Sequence, residues 1–227
     1  QRTTLLSLSL SHVRDHVESN LDPRFADSLY GVTGRLSIER VINRFMALSA
    51  GYTLADLNGF LANPYRRALV GPLPYPETHP RTRLRHNATA HLSVSVPPLD
   101  SALHLLYRAY ADSWQIAALS PEARIYTQLR ADLVLQLRYR FYTQTAAYFF
   151  RRSYPVGWDG YVTNDPKMTA LRTHTLSGAV ELRLGMLADT ALDFARDAWL
   201  DLMISRYLST SAYGDGWIVT AGCRAEL

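Results

Sequence analysis

Lysine and cysteine are nearly absent from this chain of 227 residues. Cys223 is the single cysteine, so no disulfide can form within the chain and no cysteine-based metal cluster is available. Lys167 is the one lysine among 24 basic residues, so the positive charge is carried almost wholly by arginine. Guanidinium groups suit fixed ion pairs and phosphate contacts better than ammonium groups do.

Long apolar runs and clustered charge are also missing. Hydrophobic residues make up 48% of the chain, yet no run approaches the roughly 18 residues that a membrane-spanning helix needs. The arginines are spread singly rather than gathered in a stripe, so we do not expect a nucleic-acid partner. The opening "QRTTLLSLSL" lacks the charged start, apolar core and cleavage site of an export signal. We expect any such signal to lie upstream or to have been removed.

Alternation of polar and apolar residues is the dominant pattern. In "RTRLRHNATAHLSVSV" (81–96) every second residue from Leu84 is mostly apolar, and the residues between are polar. A period of two is typical of a β-strand with two chemically different faces. The pattern recurs in about ten segments, long enough for the roughly 9 to 11 residues of a tilted membrane strand. It predicts an all-β fold: one antiparallel up-and-down transmembrane β-barrel domain over residues 1–227, with more strands possible in a longer protein.

The connections between these segments alternate in length. Short turns are predicted near Asn43–Arg44, at Pro97–Asp100, near Arg130–Ala131 and at Gly185–Asp189. Long connections are predicted at Arg14–Gly34, Leu57–Pro80, Thr145–Lys167 and Ser209–Gly216. Short turns at one end and long loops at the other are typical of outer-membrane barrels.

Two segments carry helix signals. "SPEARIYTQLRADL" begins with a serine cap, a proline at the first helical position and a glutamate, which predicts a helix start at Ser120. "DTALDFARDAWLDLMISRYL" (189–208) fits a helical stripe, but alternation of Leu192 and Phe194 with Asp193 also fits a strand. An even strand number requires the strand.

The apolar face can point inward, as in a soluble ligand-binding barrel, or outward to lipid. A soluble barrel would expose abundant Lys and Glu, but charged residues are only 19% of this chain. The aromatic residues lie toward the strand ends, as interfacial girdles do: Tyr52, Tyr107, Tyr110, Trp114, Tyr139, Phe141, Tyr142, Trp158 and Trp217. We therefore expect a barrel in the outer membrane of a Gram-negative bacterium, surrounded by lipid and lipopolysaccharide.

Polar residues of the alternating segments are then candidates for lining the lumen. They are Arg83, Arg85, His91, His104, Arg108, Asp112, Gln136, Arg138, Arg140, Gln144, Glu181, Arg183, Arg224 and Glu226. Fixed guanidinium groups favour anions, which points to a passive anion-favouring, porin-like channel. Small barrels are also filled by their own side chains, so a plugged structural or partner-docking barrel remains the alternative.

Other candidate sites carry weaker signals. A hydrolase would need His174, or His104 with Asp112, but neither has the surrounding motif, so we expect no catalysis. No metal or cofactor is predicted. "NDP" (Asn164–Pro166) and "GDG" (Gly214–Gly216) are more typical of turns than of cation loops. In "NPYRR", Pro64 sets a bend, and Arg66 or Arg67 is a candidate for lipopolysaccharide phosphates.

Four sequence segments together resemble those of an uncharacterised bacterial family of predicted outer-membrane proteins, domain of unknown function 3570. They are "NPYRR" (63–67), "RTRLRH" (81–86), "ALHLLYRAYADSWQI" (102–116) and "LRYRFYTQTAAYFF" (137–150). The chain departs from the family at "YADSW", where a doubled aspartate is more usual and Asp112 stands alone.

The resemblance implies a longer amino end than this chain has, with Gln1 not the native start. Members of the family are associated with periplasmic flavin-transfer and thioredoxin-like proteins, which implies a possible periplasmic or outer-membrane protein partner. The family carries no established activity that would assign a role to a residue.

Overall fold

A computed structural model describes residues 3–185, 190, 196–210 and 214–225. Its strands are β1 (Thr4–Glu18), β2 (Ala26–Asn43), β3 (Met46–Gly59), β4 (Arg67–Val70), β5 (Leu73–Pro76), β6 (Thr82–Val96), β7 (Ser101–Asp112), β8 (Ala117–Arg130), β9 (Leu133–Gln144), β10 (Leu171–Arg183), β11 (Trp199–Ser209) and β12 (Gly216–Arg224). Two short 3-10 turns, Pro97–Leu99 and Pro166–Met168, lie between them. None of the described helical turns has the length and apolar character needed to cross a membrane.

Ten strands form one antiparallel sheet in the order β1-β2-β3-β6-β7-β8-β9-β10-β11-β12. Each strand of this sheet pairs with the next one along the chain, apart from β4 and β5, which form a separate hairpin inside the β3–β6 connection. The predicted all-β, antiparallel, up-and-down fold with about ten strands is confirmed.

The two faces of the sheet differ in chemistry and in exposure. Cross-strand partners share a face, so the register places Leu137 and Tyr139 with other apolar side chains and places Ser177 opposite Arg138. Leu137 is 51% exposed on the apolar face, whereas Ser177 is 3% exposed on the polar face. A curled sheet shields the side chains of its concave face and exposes those of its convex face. The polar face is therefore the concave one.

The aromatic residues divide among three environments. Tyr52, Tyr107 and Tyr139 lie exposed on the apolar face. Tyr110 lies on the polar face opposite Asn87. Trp114 is 1% exposed within the β7–β8 connection, so its placement in an interfacial girdle was wrong.

The first connection is shorter than the sequence indicated. The predicted loop Arg14–Gly34 was wrong, because β1 continues to Glu18 and pairs with β2 through residues that do not alternate cleanly. Arg14, for example, is opposite Tyr30 and lies 5.4 Å from its ring centre. The ladder hydrogen bonds and such cross-strand contacts keep the chain extended beyond the alternating segment.

The helix predicted to start at Ser120 was also wrong, because this segment is the middle of β8. The serine, proline and glutamate that resemble a helix start have other partners in the sheet. Pro121 is opposite Tyr107 on the apolar face, while Glu122 meets arginines on the polar face. Tertiary contacts thus override the local signal.

The segment 189–208 ends in a strand, since Trp199–Ser209 forms β11. The alternation of Leu192, Asp193 and Phe194 lies outside the described residues. The short turn predicted at Gly185–Asp189 lies, apart from Gly185, outside the described residues, and the next described strand after the end of β10 at Arg183 begins at Trp199.

Connections at one end of the sheet contain two packed apolar clusters, and we call these connections the cap, made of residues 60–81, 113–116 and 145–170. One apolar cluster contains Trp114, Ile116, Ala147, Phe149 and Met168. A second contains Ala68, Val70, Tyr154 and Val162. The chain enters the cap at Gly59, whose φ of 122° suits glycine, and a Cβ there would lie 2.0 Å from the Ser28 carbonyl oxygen.

Candidate functional site

The polar face carries the residues that the sequence singled out. The β-ladder places on this face Arg83, Arg85, His91, His104, Arg108, Asp112, Gln136, Arg138, Arg140, Gln144, Glu181, Arg183 and Arg224. Glu226 lies outside the described residues. That these side chains line a lumen stays a prediction.

Three arginines surround one carboxylate in the middle of the sheet, and a fourth lines the same pocket. We call Arg108, Arg124, Arg138, Arg140 and Glu122 the basic cluster. Arg138 Nη2 donates to Glu122 Oε2 at 2.8 Å, and Arg124 Nε donates to Glu122 Oε1. Arg124 and Arg138 are directly opposite each other on β8 and β9, where like charges repel. Glu122 relieves this repulsion by bonding to both.

The basic cluster lines a pocket of about 300 Å³ together with the hydroxyl groups of Ser49, Thr89 and Ser120. Four guanidinium groups against one carboxylate leave an excess of three positive charges among these side chains. Arg124 was missed from the sequence because Glu122 and Arg124 fell within the predicted helix start. The strand assignment would have placed both on the polar face with Ser120.

Asp112 joins the sheet to the cap. Its Oδ2 accepts hydrogen bonds from Arg83 Nε at 2.8 Å and from the Tyr110 hydroxyl at 2.7 Å. Its Oδ1 accepts from the backbone nitrogens of Trp114 and Ile116 at 2.9 and 3.0 Å. The Asp112 side chain is fully buried, so the carboxylate is held by donors from four residues, with Arg83 donating through Nη2 as well, rather than by water.

Arg83 completes this junction. Its guanidinium lies 4.0 Å from the ring centre of Trp114, whose indole Nε1 donates to the Thr82 carbonyl at 2.9 Å. Arg85, the next arginine on this face, is opposite Asp112 in the register, but its Nε has no hydrogen-bond partner among the described residues.

Two histidines on the polar face contact each other rather than a carboxylate. His91 Nε2 lies 3.0 Å from His104 Nδ1, and the Ser93 hydroxyl lies 3.1 Å from both nitrogens. One imidazole therefore donates to the other. Within the described ranges, no three His, Cys, Asp or Glu side chains are grouped to hold a metal ion.

The remaining candidates lie away from the basic cluster. Gln144 donates through Nε2 to the carbonyls of Lys167 and Thr169, which ties β9 to the cap. Arg183 pairs with Asp197 at 2.5 Å, and Glu181 is opposite Asp201. Arg224 lies 5.9 Å from the ring centre of Trp199.

The residues considered for hydrolysis are not brought together. His104 and Asp112 share β7 and are eight residues apart, a separation of about 27 Å along an extended strand. His174 lies on the apolar face, opposite Phe141, and its Nδ1 is 2.8 Å from the Tyr139 hydroxyl.

The cap has a buried polar centre that sequence reasoning missed. Glu77 Oε1 accepts from the Thr163 hydroxyl at 3.0 Å and from the Asn164 nitrogen at 2.5 Å. These bonds link segments 86 and 87 residues apart, so no local pattern marks them. The β4–β5 hairpin was also missed, although "VGPL" (70–73) carries a Gly-Pro turn signal between two short apolar segments.

His79 lies beside Glu77 in this centre. Its Nδ1 is 3.1 Å from the Leu61 carbonyl, and its Nε2 is 3.7 Å from Glu77 Oε2. His79 Nε2 and Glu77 Oε2 are both buried without a hydrogen-bond partner in the described structure. Burial lowers the pKa of His79, although the Leu61 carbonyl and Glu77 oppose that shift.

The loop motifs have structural partners. In "NPYRR", Asn63 Oδ1 accepts from the Tyr65 nitrogen at 2.9 Å, and Arg66 pairs with Asp165 at 2.9 Å. Asp165, in "NDP", also accepts from the Lys167 nitrogen at 3.0 Å and caps a 3-10 turn. Asp215, in "GDG", accepts from the Ser209 nitrogen at 2.9 Å. Both aspartates therefore serve turn geometry.

Solved structures with a similar fold are outer-membrane proteins. In vitro folded OmpT of Vibrio cholerae, in its trimer form, matches with a TM-score of 0.52 and 11% identity, over 94% of this chain and 62% of that one. A second structure of in vitro folded OmpT matches with a TM-score of 0.50 and 10% identity, over 93% and 61% of the two chains. This likeness confirms the predicted transmembrane β-barrel fold class. The chain spans about three fifths of the length of these structures.

No curated protein matches the sequence. A family model described as "Protein of unknown function (DUF3570)" matches residues 6–193, which is most of the chain. This match confirms the family that the four sequence phrases indicated. The protein belongs to the DUF3570 family.

Proposed function

We propose that this protein is a barrel of the bacterial outer membrane that forms a passive channel favouring anions. The observation that carries the proposal is the excess of guanidinium groups in the basic cluster, where four arginines line one pocket with a single carboxylate. Fixed positive charge on a shielded face raises the local anion concentration and lowers the barrier to anion entry.

The exposed apolar face supports the proposed location. Leu137 and Leu176 are 51% and 60% exposed, which is unfavourable in water and favourable against acyl chains. Lipid and lipopolysaccharide would surround this face. Arg67 is the better candidate of the "NPYRR" pair for lipopolysaccharide phosphates, since Arg66 is engaged by Asp165.

Planar-bilayer recording tests the channel. Purified protein should give stepwise conductance, and the reversal potential in a salt gradient should report anion preference. Arg138→Ala or Arg140→Ala should reduce that preference because each removes a positive charge from the basic cluster. Arg44→Ala, in the β2–β3 turn, is the matched control and should leave the preference unchanged.

Membrane fractionation tests the location. The protein should separate with the outer membrane and should migrate differently on detergent gels before and after heating, as compact barrels do. Recovery in the soluble fraction, with the same migration at both temperatures, would contradict the proposal.

A plugged barrel that docks a periplasmic protein, such as a flavin- or thioredoxin-linked partner, is the second candidate. The ion pairs of Glu122 with Arg124 and Arg138 favour it, because paired side chains fill an interior rather than conduct. A silent bilayer with protein shown to be folded would support this candidate over the channel.

A further inference from the structure

Among the described residues, Arg108 is a cation on the polar face without a partner. It lies on β7, opposite Thr89 and Ser120, and its side chain is exposed. In the described part of the chain, no carboxylate lies within 4.0 Å of it and no hydrogen bond engages it. The neighbouring cations raise the positive potential around this guanidinium, which favours an anion there.

Arg140 is the cation that approaches the same serine. Its Nε donates to the Ser120 hydroxyl oxygen at 2.9 Å. Ser120 is 7% exposed, so its hydroxyl is held in place, and because its oxygen accepts from Arg140 its hydrogen remains free to donate. Arg108, Ser120 and Arg140 thus present donors to one pocket.

Among the described residues, Glu122 forms no ion pair with Arg108 and only a long one with Arg140. Its Oε2 lies 2.8 Å from Arg138 Nη2 but 4.0 Å from Arg140 Nε, and its Oε1 is engaged by Arg124. The single carboxylate of the basic cluster is therefore occupied by Arg124 and Arg138. The cluster is left with positive charge on the side of Arg108 and Arg140.

From this arrangement we propose that Arg108, Ser120 and Arg140 form a binding site for a phosphate-class oxyanion, either inorganic phosphate or the phosphate group of a small solute. A tetrahedral oxyanion offers several acceptor oxygens, and a planar guanidinium can bind two of them at once. A halide cannot use two forks and a hydroxyl in this way. The inference rests on the proposed channel for its biological role but not for the binding itself.

Phosphate titration of the folded protein in detergent tests the site directly. We expect the 31P resonance of inorganic phosphate to broaden and shift with saturation. Arg108→Gln should weaken the apparent affinity about tenfold, since one charge-assisted interaction is lost. Arg35→Gln is the matched control, because Arg35 is also an exposed arginine on the polar face, opposite Ser9 and Thr53 on other strands. An equal loss of phosphate affinity in both variants would show that phosphate is attracted by positive charge in general, and it would overturn the proposed site.

Arg140→Lys separates geometry from charge. Lysine keeps the charge but loses the fork, so phosphate binding should weaken while the chloride preference of the channel stays. Unchanged phosphate affinity in Arg140→Lys would overturn the proposed role of that guanidinium. If the bilayer is silent but phosphate binds and depends on Arg108, the channel fails and the oxyanion site stands. If the channel conducts but phosphate binds no more tightly than chloride, the proposed oxyanion site is wrong while the proposed channel stands.

Discussion

The sheet and the cap reach stable structures by different routes. In the sheet, each strand pairs with a sequence neighbour, and one two-residue pattern is repeated across ten strands. In the cap, a few side chains such as Glu77 and Tyr154 connect segments that have no common pattern. We infer that the effect of a substitution on the stability of the sheet depends mainly on which face carries the substituted residue. The cap is sensitive to the identity of single residues.

The largest effect is expected at Asp112, where the two regions meet. Asp112→Asn keeps the shape but removes the charge that holds Arg83, leaving a buried guanidinium without its partner. Breaking a buried pair in this way costs about 3 to 5 kcal/mol. The free energy of unfolding in detergent or vesicles would measure it.

Asp132→Asn is the control for that substitution. Asp132 forms a longer, more exposed pair with Arg130 at 3.9 Å in the β8–β9 turn. Exposed pairs contribute about 1 kcal/mol or less. Equal losses in the two variants would show that the junction at Asp112 has no special role.

A face-specific effect is expected within β9. Leu137→Arg puts a charge on the exposed apolar face and should cost about 2 to 4 kcal/mol in lipid. Gln136→Arg, one residue earlier, puts the same charge on the polar face, where it should cost much less. Unfolding free energies in lipid vesicles compare the pair, and the reverse order would remove the distinction between the faces.

A residue-specific effect is expected in the cap. The Tyr154 hydroxyl accepts from the Thr163 nitrogen at 3.0 Å and donates to the Phe149 carbonyl at 3.0 Å. Tyr154→Phe leaves these buried groups unpaired, so the cap should lose about 1 to 3 kcal/mol. Hydrogen exchange over residues 145–170 would show faster opening, with Tyr148→Phe, at an exposed tyrosine, as the unaffected control.

The smallest expected effect is a pH dependence of stability that is confined to the cap. Burial lowers the folded-state pKa of His79, which faces Glu77, Asp165 and Arg83. Folding therefore favours the neutral ring. The free energy of unfolding that the neutral His79 ring contributes to the cap is fully present above the unfolded-state pKa of about 6.5. It is lost as the pH falls through the folded-state pKa.

Limited proteolysis of the cap at a series of pH values would detect this change. Cleavage should increase on acidification in the native protein and should depend less on pH in His79→Asn, where an amide can replace the ring as donor to the Leu61 carbonyl. The same pH dependence in both proteins would assign it to another group.

The sheet was predictable because its signal is local and repeated. Alternation such as that around Leu92 and Leu135 identifies strands without knowledge of their partners. The local sequence signal failed where tertiary contacts determine the secondary structure. At Ser120, for example, a segment that resembles a helix start lies in β8. It also failed at Arg14, which continues β1 through contacts with β2.

The site was predictable in outline only. Alternation assigns Arg108, Arg138 and Arg140 to one face, but it cannot show that Glu122 bonds to Arg138 rather than to Arg140. Such choices depend on side-chain reach across strands. The bonds from Glu77 to Thr163 and Asn164 have no sequence signal at all, because they join distant loops.

Lipid-dependent quenching along β9 tests the central claim, that the apolar half of each repeat meets acyl chains. Single cysteines introduced in a Cys223→Ser background as Leu135→Cys, Leu137→Cys, Gln136→Cys and Arg138→Cys would carry a fluorescent probe in vesicles containing brominated lipid. If the apolar half meets acyl chains, quenching should be strong at 135 and 137 and weak at 136 and 138. Strong quenching at 136 and 138, or equal quenching at all four positions, would contradict it.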